Sequence, residues 1–230
     1  MCPVSKDRRH QDHATVARFY DSLAPFYTRL RDYGHKRDGH AKALLIGALA
    51  PFADDIVLDV GTGPGIYALD IAKQAANSRV VGIDISEAFI NIAKTRASEA
   101  GVDNIVFSLG NIEQLEFEDR FFTKIVCAGV LSVVHQRERA VLELSRVLRP
   151  GGRLTVREPK RSNSLVSRVA ARLPEKSRVR RAVCQAGLMF GHFSPNLMTT
   201  TELRALFHDC GFSQVTLEPY GSDVLITATK

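Results

Sequence analysis

Val57-Leu58-Asp59-Val60-Gly61-Thr62-Gly63-Pro64-Gly65 reads as a buried strand running straight into a turn with glycine at every second position. A short apolar run that stops at glycines fits a strand covered on both faces. Without Cβ atoms, the backbone at 61, 63 and 65 can turn sharply and let a ligand approach closely. Ile66 to Gln74 follows with helical character, so its first amides and the positive end of its dipole face the turn. Val80-Val81-Gly82-Ile83-Asp84 is the next strand. A carboxylate at the C-terminal end of such a strand accepts hydrogen bonds from the hydroxyls of a ribose, so the pair of strands predicts a bound nucleoside.

The spacing narrows the choice. Dinucleotide sites use Gly-x-Gly-x-x-Gly, whereas this turn is Gly-x-Gly-x-Gly with Pro64 inside it, and proline has no amide hydrogen to offer a pyrophosphate. Read with Asp59, Asp84, Gly110-Asn111-Ile112 and Leu148-Arg149-Pro150-Gly151-Gly152, the turn resembles the class I S-adenosylmethionine-dependent methyltransferases. The resemblance covers roughly residues 15 to 159 and resumes in the last thirty. It implies an α/β fold with a Rossmann-like seven-stranded sheet in the order 3-2-1-4-5-7-6, strand 7 antiparallel and helices on both faces. It also implies S-adenosyl-L-methionine as cofactor and S-adenosyl-L-homocysteine as product. On the same resemblance, Gly61, Thr62, Gly63 and Gly65 line the methionine part. Asp59 reaches the amino group through the loop or a water, Asp84 and Ile85 meet the ribose, Asn111 and Ile112 touch adenine, and Cys127 borders the site. Relatives often carry Asp where Asn111 stands, but the amide oxygen of Asn accepts the same hydrogen bond. Two plainer roles stay open: Asn111 as a turn residue and Asp84 as a cap on the following helix.

Phe19-Tyr20-Asp21-Ser22-Leu23-Ala24-Pro25-Phe26-Tyr27 is similar to the Tyr-Asp-x-x-Ala-x-x-Tyr lid of the ubiquinone/menaquinone-biosynthesis type within that family. The similarity implies that Tyr20 and Tyr27 close over the cofactor, burying ring area while offering hydroxyls. The alternative is that both rings simply pack the helix on the sheet. Because a sulfonium methyl is already activated, the protein must align the acceptor, exclude water and, for some acceptors, remove a proton. His135, after strand 4, and Glu158, at the end of strand 5, are the candidate bases. A histidine titrates near neutrality and suits a phenol or enol. Against these roles stand a structural histidine at a helix start and a glutamate paired with neighbouring arginines.

The rest of the chain alternates between strand and helix patterns. Strands are predicted near 56–60, 80–84, 104–108, 124–128 and 152–157, with Phe212 to Leu217 and Asp223 to Thr229 last; helices near 14–34, 38–50, 66–76, 87–100 and 136–148. Ser86 reads as an N-cap, and Thr199 with Glu202 has capping-box spacing. Residues 1–13 are read as a disordered tail and 14–230 as a single domain, with 14–50 an N-terminal helical lid and 160–198 a helical substrate lid. With 230 residues, 45% of them hydrophobic, the chain can bury one sizeable core. No apolar run is long enough to cross a membrane and the N-terminus lacks a signal-peptide pattern, so the expected location is the cytoplasm. The four cysteines show neither metal-type nor disulfide-type spacing, and no metal is expected.

Residues 157 to 181 carry nine Lys or Arg against two acids, an excess larger than the net +6 of the whole chain. Leu165, Val166, Val169, Ala170 and Leu173 recur at helical spacing within that run. The segment reads as a lid over a small acceptor, as a basic surface for peripheral contact with anionic membrane, or as a docking face for an anionic substrate including RNA. Nucleic acid is the weakest of the three, since no recognition module is evident. The expected function is methyl transfer to the oxygen or carbon of a small organic acceptor of phenol, quinol or enol type. A methyltransferase acting on RNA or another anionic substrate, and a catalytically silent cofactor-binding relative, are the alternatives.

Overall fold

In the computed structural model, residues 13–37, 39–159 and 197–230 are described. The strand over Ile56–Val60 (β1) is buried at all five positions, because it lies in the middle of the sheet with helices against both faces. It pairs in parallel with β2 (Arg79–Asp84) on one side and β4 (Phe122–Ala128) on the other, in the register Val57↔Val80 and Val57↔Lys124. β3 (Ile105–Leu109) lies outside β2 as the edge strand. Beyond β4 comes β5 (Leu148–Pro159), which takes β7 (Asp223–Thr229) antiparallel at Val156↔Ile226; β6 (Ser213–Tyr220) closes the other edge. The seven-stranded order 3-2-1-4-5-7-6, with its antiparallel seventh strand, matches the expectation.

The helices are α1 (His13–Arg37), α2 (Gly39–Leu49), α3 (Ile66–Gln74), α4 (Glu87–Glu99), α5 (Arg137–Val147) and α6 (Thr200–Asp209). One core cluster joins α5 and α6 to the sheet through Phe122, Leu144, Phe207 and Ile226; the other joins α2, α3 and α4 through Leu45, Val57, Ile71 and Ala93. Local signals set the helix starts. Ser86 caps α4 by accepting from Phe89 N, and Thr199 with Glu202 forms a reciprocal capping box on α6. The switch of direction between β1 and β4 leaves a crevice above their C-terminal ends, where the glycine turn and the β4–α5 connection face each other.

The tail at 1–12 and nearly all of the 160–198 insertion lie outside the described residues. Arg157, counted with the basic run, belongs instead to the folded sheet: its Nε and a second guanidinium nitrogen each lie 2.6 Å from Asp223 Oδ2. A further nitrogen donates to Tyr67 Oη at 3.2 Å.

Candidate functional site

The glycine turn is built by hydrogen bonds. Asp59, 1% exposed at the end of β1, accepts from Thr62 Oγ1 (2.7 Å) and from Ala68 N in the first turn of α3 (3.2 Å). Thr62 N donates to Ile83 O of β2 at 2.9 Å. The three glycines of the turn meet different needs, although each has positive φ. At Gly61 a Cβ would overlap Val130 Cγ2; at Gly65 it would press on Ala93 and Phe107 at 3.0 Å; at Gly63 it would meet nothing within 4 Å. Only Gly63 therefore keeps space open for a ligand.

Asp84 lies opposite. Its Oδ2 accepts from Gly63 N and its Oδ1 from Ser86 N, both at 2.9 Å. Burial raises its carboxyl above the usual carboxylate range, while the N–H groups of Ser86, Gly63 and Ile85 pull it back. Each carboxylate oxygen has more than one lone pair, so acceptor capacity remains for hydroxyls on the cavity side.

An open cavity of about 830 Å³, counting the space at its mouth, begins at these residues. Gly61, Gly63, Asp84, Ile85, Asn111 and Ile112 form one wall. Tyr20, Tyr27 and Val16 of α1 and Phe89 of α4 form another, and Gly129, Val130, Val133, Val134 and His135 a third. α1 is fixed in place by Asp21, whose Oδ1 accepts from Ser86 Oγ (2.6 Å) and Ala88 N (3.1 Å) at the start of α4. This anchor and the fully buried Ala24 leave Tyr20 and Tyr27 facing the cavity, with Tyr27 edge-on to Phe89 at 5.4 Å. Burial raises the Tyr20 hydroxyl far above the ordinary tyrosine value, with Tyr27, Asp84 and Glu158 adding to it.

The β4–α5 connection is held at both ends by buried carboxylates. Glu158 accepts from Leu131 N (2.8 Å) and Ser132 N (3.1 Å), and Glu113 Oε1 accepts from His135 N and Gln136 N, both at 3.0 Å. Burial pushes the Glu158 carboxyl up to about 7 against the pull of those amides.

Residues 52–209 match the methyltransferase-domain family. The chain belongs to that family, in its S-adenosylmethionine-dependent class. A demethylmenaquinone methyltransferase from Bacteroides fragilis is 29% identical over 160 residues, covering 68% of this chain and 64% of that protein. A probable methyltransferase, ltbC, from Aspergillus luteorubrus is 39% identical over 113 residues, covering 45% of this chain and 40% of the relative. The chain thus spans less than two thirds of the length of either curated relative. Among solved structures, the [4+2]-cyclase SpnF superposes with a TM-score of 0.75 at 18% identity, over 94% of this chain and 95% of the cyclase. That likeness concerns the fold, which here is shared by a protein named for cyclisation.

In this methyltransferase domain, nine of the residues singled out from sequence line the one cavity: Tyr20, Tyr27, Gly61, Gly63, Asp84, Ile85, Asn111, Ile112 and His135. Five do not. Asp59, Thr62 and Gly65 build the turn from behind, and Cys127 is fully buried in the core beneath it, its thiol pushed well above the usual range by burial. Glu158 is turned to the backbone of the β4–α5 connection and is not among the described residues that line this cavity. Asn111 lines the cavity and is also a turn residue, its Oδ1 accepting from Glu113 N at 2.9 Å. Ser86 caps α4, while Asp84 accepts from the Ser86 amide ahead of that helix and lines the cavity. Sequence reasoning missed Asp21 and Glu113. The first lies inside the recognised lid motif and the second two residues after Asn111, but each acts on a distant helix start, which only the fold brings near.

The arrangement fits an adenosyl cofactor. Gly63 leaves a cradle that a Cβ would fill, and Asp84 lines the same cavity.

Proposed function

We propose that this chain transfers the methyl group of S-adenosylmethionine to a small, largely apolar acceptor of quinol, phenol or enol type. The observation that carries the reading is a single cavity with the glycine turn and Asp84 at one wall, a valine-rich wall opposite and His135 at its rim. Bound S-adenosylmethionine supplies an already activated methyl, so the protein's task is alignment, exclusion of water and proton removal. Val16, Val130, Val133 and Val134 offer an apolar acceptor no hydrogen bonds to satisfy and favour burial of its ring. Tyr20 and Tyr27 cover the cavity from α1. His135 takes the proton that the acceptor hydroxyl or carbon releases as it gains the methyl.

The name of the Bacteroides fragilis relative supports a quinol-type acceptor. A valine wall gives no counter-charge to a phosphate backbone, which disfavours RNA. Arg168 and Arg172 of the basic run, on which a membrane contact would depend, lie outside the described residues.

Calorimetry with S-adenosylmethionine and S-adenosylhomocysteine, with NAD as control, tests the cofactor. Transfer of labelled methyl to reduced demethylmenaquinone and to simple phenols, read by mass spectrometry, then separates carbon from oxygen methylation. Binding without transfer to any of these acceptors would favour the silent relative. His135→Ala is expected to lower kcat by about 10²–10⁴-fold while leaving S-adenosylmethionine affinity unchanged; an unaltered rate would remove His135 from the mechanism.

A further inference from the structure

Glu113 touches both sides of the cavity. It follows Asn111 and Ile112, which line the wall assigned above to the adenosyl group, and its own residue lines the cavity too. Its side chain is only 4% exposed and leaves that wall to reach the start of α5, where Oε1 accepts the amides of His135 and Gln136 at 3.0 Å. Those two amides immediately precede α5 (Arg137–Val147), whose N-cap residue Gln136 contributes no side-chain bond of its own. Glu113 thus holds, from another element, the backbone that leads into α5, and a carboxylate near a helix start is also favoured by the helix dipole.

The backbone on the other side of Glu113 is equally fixed. Asn111 Oδ1 accepts from Glu113 N, Leu115 N donates to Glu143 Oε2 at 2.7 Å, and Arg146 donates to Leu115 O and Phe117 O at 2.8 Å. The segment after β3 is therefore stitched to α5 along its length, with Glu113 at the end nearest the cavity. At the far end of the β4–α5 connection, Glu158 holds Leu131 and Ser132 from β5. Between these points Val133 N and Val134 N donate to Val130 O at 3.0 and 3.2 Å, and Glu113 holds the His135 end of the connection.

We propose that Glu113 is a positioning residue that couples occupancy of the adenosyl wall to the placement of His135. A ligand that orders Asn111 and Ile112 fixes the root of the Glu113 side chain, and the carboxylate passes that order to the two amides that set the direction of the His135 backbone. This rests on the cofactor reading of the cavity given above.

Amide hydrogen exchange of the full chain, with and without S-adenosylhomocysteine, tests the coupling without needing the acceptor. In the wild-type protein, saturation with S-adenosylhomocysteine should slow exchange of the His135 and Gln136 amides at least tenfold. Glu113→Ala should bind the same ligand within about threefold of the wild-type affinity yet lose that protection, whereas Glu113→Gln, which keeps an acceptor oxygen, should retain most of it. Glu113→Asp, shorter by one methylene with its charge intact, should behave like Glu113→Ala and serves if the alanine variant does not fold. A role limited to stability would lower the melting temperature without erasing a ligand-dependent change. Wild-type binding with no added protection at these amides, or full added protection in both Glu113→Ala and Glu113→Asp, overturns the coupling alone. Absence of S-adenosylhomocysteine binding by the wild-type protein overturns the cofactor reading and the coupling with it.

Discussion

Gly61 and Gly63 are two residues apart and answer to different demands. Gly61→Ala places a methyl into Val130 in a left-handed backbone, so it should destabilise the protein by about 1–3 kcal/mol through overpacking, plus about 1–2 kcal/mol for the conformation. Gly63→Val carries only the conformational cost and points into open space, so the protein should stay folded and fail to bind S-adenosylmethionine. Melting curves beside calorimetry distinguish the two, and equal loss of stability in both would contradict this division. Asp84→Ala removes acceptors for the ribose hydroxyls and should weaken S-adenosylmethionine binding by about 1.5–3 kcal/mol, the range for hydrogen bonds to charged groups. Unchanged calorimetric affinity would sink the ribose assignment. These residues were legible because a turn motif is local: strand, glycines and carboxylate sit within 28 residues of each other in the chain. Which glycine faces a ligand and which faces Val130 was not legible, since Val130 comes from the far side of the switch point.

Helices in this fold are anchored by carboxylates that belong to other elements. Asp21 of α1 docks on the start of α4, and Glu113 docks on the start of α5. Asp21→Ala should therefore cost about 0.5–2 kcal/mol, as for the loss of a helix cap, and should loosen the helix that presents Tyr20 and Tyr27. The check is thermal unfolding together with proteolysis after α1 residues; a stability loss with α1 no more susceptible than in the wild type would argue against docking. In the motif at 19–27 the sequence reading gave the tyrosines a task and the aspartate none, whereas in the fold Tyr20 and Tyr27 line the cavity and Asp21 docks the helix. A side chain capping its own helix leaves a three-residue spacing to find, as at Thr199 and Glu202. A side chain capping another helix leaves none.

For the molecule as a whole, the alternation of strand and helix was readable from periodicity, and the antiparallel last pair followed from resemblance rather than from any residue pattern. The two buried carboxyls beneath the cavity leave a global signature that sequence could not supply, because burial sets it. Burial pushes Asp59 and Glu158 each up to about 7, above their unfolded values. Between about pH 5 and pH 7 the folded state then binds more protons than the unfolded chain, so these groups' contribution to stability is present below their unfolded pKa and is lost as pH rises through 7. The melting temperature of Asp59→Asn should fall less steeply over that interval than that of the wild type, because Asn cannot ionise yet still accepts from Thr62 and Ala68. Parallel profiles for the two proteins would show that Asp59 does not titrate there.

Both carboxylate anchors of the β4–α5 connection grip main-chain amides and ignore the side chains in between. Val130 is committed to Gly61 and Val134 to the core below, but Val133 projects from a scaffold whose shape does not depend on its identity. The wall can thus be re-lettered at 133 while its frame stays put. A substitution there changes the shape of the cavity at one point and leaves the rest of the pocket as it is.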